Sequence, residues 1–274
     1  MEELPIVMEN ADMQRMAVID LDDTLLSPEK EISSANLEAL KLLRENGFEI
    51  IIASGRHHEN IMSFQDRIGQ QGWVISSNGA VVRHALTFDM LHELTLTLGQ
   101  ALDVCRFGAE RDLTVIGYHR DGAFAERDSE WTLRYALNAG WKPKRGRLGD
   151  LAATGLQKLL LTDSPERIDT IQPETERRFG SEMYVVRTAD EILEIAAPST
   201  NKAIGAQAVA KALGIDSQNV VAFGDGNNDV ELLMWAGLSV AMDHGRESAR
   251  KAAKLVSAPG LHGTAFARAV QAVL

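Results

Sequence analysis

The chain has 274 residues, 45% of them hydrophobic and 24% charged, the makeup of an ordinary globular protein with room for one large domain or two separate cores. Its formal net charge of −11 argues against nonspecific nucleic-acid binding, which depends on Lys and Arg to neutralise phosphates. A single cysteine, Cys105, excludes an internal disulfide and fits a reducing compartment, and no apolar run reaches the roughly 18 to 20 residues a bilayer span needs. The expected location is the cytoplasm, with no membrane partner.

Met1 to Arg15 is acidic, lacks the apolar stretch of a signal peptide and reads as a short flexible extension. Met16-Ala17-Val18-Ile19 follows as a buried parallel strand, leading straight into Asp20-Leu21-Asp22-Asp23-Thr24. Carboxylates leaving the carboxyl end of such a strand stand where open α/β sheets keep their ligand sites. Burying two of them together is costly unless a cation or a proton joins them. A calcium loop is excluded, because counting from Asp20 puts Leu25 where the sharp turn needs Gly. Counting from Asp225 puts Val230 there and Ala236 at the position of the bidentate Glu.

Ser33-Ser34 offers an N-cap for a helix carrying Leu37, Leu40 and Leu43, which Gly47 stops. A second strand, Phe48 to Ala53, ends in Ser54-Gly55-Arg56. A helix around His58 to Ile68 leads to a third strand, Trp73 to Ser76, and then Asn78-Gly79. This β-α-β-α-β series predicts a parallel sheet covered by helices. From about Arg83 to Ile195 the pattern becomes helix, two short strands, helix, strand (Leu156 to Thr162), helix and two strands (Met183 to Val186, Ile192 to Ala196). Strands in adjacent pairs suit an α+β sandwich, so 83–195 is expected to be a domain inserted into a core made of 16–82 and 196–274. The alternation then resumes with a helix Lys202 to Leu213, a strand Val220 to Phe223, a helix from Asn227, a strand Leu238 to Met242 and a terminal helix near Thr264.

Taken singly, Ser54-Gly55 reads as a strand-to-loop turn, Lys202 as a solvated helix residue, and Asp225 to Asp229 as an Asn/Gly-rich turn with an N-cap. Taken together they place carboxylates for a hard divalent cation beside neutral and cationic donors for a phosphate. That combination suits phosphoryl transfer, where positioning and charge stabilisation do most of the work. A dinucleotide-binding loop is excluded because Asp229 stands where its third Gly would be. His57-His58 occupy adjacent helical positions, which do not share a face, and read as a helix start at the mouth of the site rather than as metal ligands. Lys142, Lys144, Arg145 and Arg147 read as a solvated loop, with contact to an anionic part of the substrate as the alternative, and Cys105 as part of a helix facing the core. No nucleophile elbow or zinc-protease motif is present.

Asp20-Leu21-Asp22-Asp23-Thr24, Ser54-Gly55, Lys202 and Gly224-Asp225-Gly226-Asn227-Asn228-Asp229 resemble the four ordered motifs of the haloacid dehalogenase-like (HAD) phosphatases. Asn78-Gly79-Ala80, the position of the insertion and Leu193-Glu194-Ile195 before Lys202 resemble the Cof-type subgroup. The resemblance runs over nearly the whole chain from Met16 and implies an α/β fold, a Rossmann-like parallel-sheet core with an inserted α+β cap. It also implies Asp20 as nucleophile through an aspartyl-phosphate, and Asp22 as the acid that protonates the leaving alcohol and then activates water. Asp22 should therefore keep a proton more readily than Asp20.

In the same likeness Mg2+ is held by Asp20, the Asp22 backbone carbonyl and Asp225, with Asp229 orienting ligands behind them. Ser54, the Leu21 and Gly55 amides, Lys202 and Asn228 bind the phosphoryl oxygens, and Arg56 and Asn78 reach the substrate. Asp23 replaces the family's commoner Gly and is expected to point away from the metal. The implied activity is hydrolysis of small phosphorylated metabolites, sugar phosphates foremost. The alternatives are a phosphomutase using the same intermediate and a phosphate-ligand sensor without turnover. Composition and motifs leave oligomeric state open.

Overall fold

The computed structural model describes residues 14–274. The expected N-terminal extension lies outside the described residues as far as residue 13, and Arg15 already opens the first strand.

Apolar runs that must be covered on both faces fold here as parallel strands. They are β1 (Arg15–Asp20), β2 (Phe48–Ala53) and β3 (Trp73–Ser76). A hairpin follows, β4 (Val81–His84) and β5 (Met90–Glu93). The chain then builds a second unit with β6 (Thr114–His119), β7 (Gly122–Ala125), β8 (Lys144–Arg145), β9 (Lys158–Thr162), β10 (Tyr184–Ala189) and β11 (Ile192–Ala196). It returns to the first sheet with β12 (Val220–Gly224), β13 (Leu238–Ala241) and β14 (Leu255–Val256).

The core sheet has eight strands in the order β14-β13-β12-β1-β2-β3-β4-β5, parallel from β14 to β3 and antiparallel over the last two pairings. The chain runs outward in both directions from β1 and β12, so their carboxyl ends form the switch point where such sheets bind ligands. Register brings three loops there: Ile19 pairs with Phe223 and Asp20 with Ala53, so Asp20, Ser54 and Asp225 leave the sheet at one level. Two apolar layers cover the sheet, one around Leu21, Leu40, Ile52 and Phe223, the other around Val18, Ile51, Ala206 and Leu233.

The second sheet, β10-β11-β9-β6-β7-β8, has six strands. One face packs on the helices Leu98–Glu110 and Pro165–Phe179 through Val104, Phe107, Ile168 and Leu161. Side chains alternate along a strand, so Ile116, Tyr118 and Leu160 fall on the opposite face, toward the core site.

Several elements differ from expectation. The order expected of the insertion is present from the helix Leu98–Glu110 onward, but β4 and β5 precede it on the edge of the core sheet, so the seam expected at 82/83 falls inside a strand and the chain leaves that sheet after Glu93. Leu86 and Phe88 in the connecting turn stand 53% and 58% exposed. The helix expected over 58–68 is two short ones, His58–Met62 and Gln65–Ile68, with the Ser63 hydroxyl bonding back to the Asn60 carbonyl at 2.7 Å where they part. Lys144 and Arg145 pair with β7 rather than forming a loop, and both remain exposed. The helix expected from Asn227 starts at Val230, after a tight turn over Asn227–Asp229.

Asn78-Gly79 has a backbone reason. Asn78 takes a left-handed φ of 56°, Gly79 one of 93°, and a Cβ on Gly79 would lie 2.0 Å from the Asn201 carbonyl oxygen. Only hydrogen fits there, and that contact lets the helix Lys202–Leu213 begin against the end of β3. Asn201 caps the helix through its side chain, which accepts from the Ile204 N–H at 3.0 Å.

Candidate active site

β1 delivers Asp20, the loop after β12 delivers Asp225 and Asp229, and the first turn of the capped helix delivers Lys202. Carboxylate oxygens of Asp20, Asp225 and Asp229 lie within 4.8 Å of one another. The fully buried Lys202 ammonium donates to Asp20 and, at 2.6 Å, to Asp229 Oδ1. Asp229 Oδ2 accepts from the Asp225 and Gly226 amides at 3.0 and 2.9 Å, so this side chain ties the loop into shape. The Thr24 hydroxyl donates to Asp225 Oδ1 at 2.9 Å.

Burial raises the Asp20 carboxyl well above the usual range; Lys202 opposes the rise, while Asp229 and Asp225 add to it. Asp225 is pushed up to about 7, by burial first and then by Asp229. Burial would lower the Lys202 ammonium, but Asp20 and Asp229 outweigh it and raise it instead. Two buried carboxylates and the half-buried Asp225 thus face one ammonium, and the uncompensated negative charge, presented by oxygen ligands alone, fits a hard divalent cation.

Asp22 is held quite differently. Arg56 grips it with both arms, Nε to Oδ2 and Nη2 to Oδ1, each at 2.7 Å, and Lys30 reaches Oδ1 at 2.9 Å. Burial alone would raise its carboxyl, but Arg56 and Lys30 hold it down at about 2. Two cations thus hold the Asp22 carboxyl down, whereas at Asp20 burial and the neighbouring carboxylates outweigh Lys202. Asp23 has a left-handed φ of 59°, which explains a position where Gly is commoner, and its carboxylate lies 3.6 Å from His262 Nε2.

Ser54 is buried at the end of β2, and its Oγ accepts from the Arg56 N–H at 3.1 Å. Leu21 sends its side chain into the core, so its backbone is what it offers the site. Asp20, Asp22, Ser54, Gly55, Arg56, Asp225 and Asn228 all line a cavity of about 420 Å3. Lys202 and Asn78 stand behind that wall: the Lys202 ammonium is engaged by carboxylates, and the Asn78 amide by Asn228 and Glu194. His57 caps the helix His58–Met62 and joins the His119 carbonyl at 2.8 Å, so it serves the junction between the two units. Cys105 lies in a helix, half-buried, and burial raises its thiol to about 11.

Residues 17–260 match the family model described as haloacid dehalogenase-like hydrolase. The chain belongs to that family. An HMP-PP phosphatase of Yersinia pestis is 26% identical over 230 residues, covering 84% of each chain. The Arabidopsis thaliana protein called endoribonuclease YBEY, chloroplastic, is 28% identical over 252 residues, and the match spans 43% of its length, under half of that protein. The solved structure of a HAD/COF-like hydrolase from Plasmodium vivax superposes with a TM-score of 0.84 at 21% identity, covering 95% of each chain, and so shares the fold. The chain is accordingly a hydrolase with a capped α/β fold, and among the described residues no helix is long and apolar enough to cross a membrane.

Sequence reasoning missed several residues of this site. Lys30 carries no signal, since it meets Asp22 only through the turn that follows the first motif. Thr24 was in plain view inside that motif, two residues beyond Asp22. The cap residues Tyr118, Trp131, Tyr135 and Thr188 face the cavity from three separate elements, and strand alternation on β6 was the one available clue.

Proposed function

We propose that this HAD-type phosphatase depends on Mg2+ and hydrolyses small phosphomonoesters, sugar phosphates foremost, in the cytoplasm through an aspartyl-phosphate on Asp20. The observation that supports it most is the cluster of buried Asp20, Lys202 and Asp229 with half-buried Asp225 at the floor of a cavity of about 420 Å3, a size suited to a small metabolite. Mg2+, held by Asp20, Asp225 and the Asp22 backbone carbonyl, would supply the positive charge that lets a phosphate dianion approach carboxylates.

Asp20 attacks phosphorus as the bond to the ester oxygen breaks, and Asp22 gives that oxygen its proton. Water then attacks the phosphorus, Asp22 takes a proton from it, and the Asp20 carboxylate is released with inorganic phosphate. Asp22 must carry a proton for the first step, which its pairing with Arg56 and Lys30 disfavours. An anionic ester draws those cations to itself and lifts that restraint. Ser54 and the backbone amides of Leu21 and Gly55 hold the phosphoryl oxygens, with Asn228 beside them. Lys202 keeps Asp20 and Asp229 apart and partly neutralised. Asn138, Thr162, Thr188 and Glu191, beside the ring of Trp131, offer a sugar both hydrogen bonds and a stacking face. The net charge of −11 disfavours nucleic acid as a substrate.

The test is a panel of phosphorylated metabolites with Mg2+, read as released phosphate. Turnover strongest among sugar phosphates is expected. Isomerised ester without released phosphate would point to a mutase, and binding without turnover to a sensor.

A further inference from the structure

The second unit plants a buried charge pair directly behind the phosphate-binding wall. Lys158 of β9 and Glu194 of β11 lie on adjacent antiparallel strands, are nearly fully buried, and meet at 2.8 Å. Glu194 Oε2 also accepts from Asn78 Nδ2 at 2.5 Å, and Oε1 from the Thr188 hydroxyl at 3.0 Å. Lys158 Nζ donates to the Gly55 carbonyl at 2.6 Å and sits 4.5 Å from the centre of the Tyr118 ring. Asn228 Nδ2, in turn, donates to Asn78 Oδ1 at 2.8 Å.

The direction of these bonds is dictated by chemistry. A carboxylate paired with an ammonium accepts and does not donate, so Asn78 must present its NH2 to Glu194. Its carbonyl then faces the other way, toward Asn228, which must answer with its own NH2. Only one hydrogen of that NH2 is used, and the second remains for the cavity that Asn228 lines. Were Asn78 to flip, Asn228 would turn its carbonyl oxygen toward an incoming phosphate, which repels it. The arrangement is tight, because a Cβ on Gly55 would lie 3.0 Å from Asn78 Oδ1. A buried ion pair seldom adds stability over apolar residues of similar size, so its retention asks for another reason.

We infer that Glu194 and Lys158 are positioning residues by which the inserted unit sets the phosphate site: Glu194 fixes the orientation of the Asn228 amide through Asn78, and Lys158 fixes the Ser54–Gly55 turn through the Gly55 carbonyl. The inference rests on the phosphatase reading for its rate assay only. Neither residue selects the organic part of the ester, so loss of either weakens all esters alike.

A double-mutant cycle tests this on the full chain with Mg2+. Glu194→Gln leaves an amide that can offer either end to Asn78 and removes the carboxylate that neutralises Lys158. It should lower kcat/KM on an aryl phosphate and on several sugar phosphates by a common factor of about 10 to 100. In an Asn228→Ala background the same substitution should have little further effect, since it acts through that amide. The cycle is read in parallel on the affinity for inorganic phosphate, which needs no turnover. Additive losses in the two backgrounds, losses that differ from ester to ester, or an unchanged Glu194→Gln would overturn the inference. Phosphate binding coupled as described but without hydrolysis of any ester would break the phosphatase reading and leave this one standing. Should Glu194→Gln fold poorly, the double variant Lys158→Met/Glu194→Leu removes both charges together; its loss should shrink in the Asn228→Ala background to the part that Lys158 exerts on the Gly55 turn, and an undiminished loss would overturn the inference.

Discussion

The two sheets approach the cavity from opposite sides and equip it by different geometry. The core sheet presents its strand ends: Asp20, Ser54 and Asp225 leave the ends of neighbouring strands at one level, each fixed by ladder register. The inserted sheet presents a face, with Ile116, Tyr118 and Leu160 projecting from the middle of strands, while Glu194 reaches through to Asn78 and belongs with the core site. Groups at strand ends are set by backbone and converge on one point, which suits a reaction centre. Groups on a face spread over an area and can change singly without moving their neighbours. Reaction and choice of ester should therefore separate under mutation.

The sharpest way to break that division is at Asp20. Asp20→Asn keeps the shape but is a far weaker nucleophile and ligand, and should reduce turnover of every ester by more than about a thousandfold. A variant that kept a tenth of the wild-type rate would remove Asp20 from the chemistry. Next in size is the metal. EDTA should abolish activity and Mg2+ restore it, with Asp225→Ala raising the Mg2+ needed for half-maximal rate. Unchanged Mg2+ dependence of that variant would contradict the assignment. Asp22→Asn should slow alkyl phosphates more than an activated aryl phosphate, whose leaving group needs less protonation. Equal slowing of both would count against the acid.

On the inserted face the effects should be smaller and uneven. Trp131→Ala should alter kcat/KM by roughly 3- to 30-fold for some esters and hardly at all for others, in keeping with the energy of one stacked ring. A uniform change would mean that the face contributes to the reaction itself.

The smallest effect expected is on stability with pH. His58 is buried, and that burial, with Arg83 and His57 beside it, lowers its imidazole from the ordinary value to about 4. The folded state then binds fewer protons than the unfolded one, so the stability present above about 6.5 declines as the pH falls toward 4. Wild type should lose several degrees of Tm between pH 7 and pH 5, and His58→Leu should lose less. Parallel declines would exclude His58 as a contributor.

The chemistry was legible in sequence because strand ends are. An apolar run closed by Asp20, or by Gly224-Asp225, is read directly, and the order of the four motifs supplied the rest. The seam was not legible, since β4 and β5 are short and their turn carries exposed Leu86 and Phe88. The clamp on Asp22 was also hidden, because Arg56 and Lys30 meet it through tertiary folding that no spacing announces. Asn78 was expected to touch substrate, but its amide is spent between Asn228 and Glu194. A sequence shows that an amide is present, not which way it turns.

The contact between Gly79 and Asn201 closes a ring. The chain between them first adds β4 and β5 to the core sheet, then builds the whole second sheet, and returns to touch the backbone where it set out. For a flexible chain the entropy of holding two such points together grows only with the logarithm of the length between them, about 0.6 kcal/mol for each doubling. The core is therefore almost indifferent to how much chain hangs from that junction. Inserts much longer or shorter than this one could be borne on the same sheet, provided residue 79 keeps no side chain.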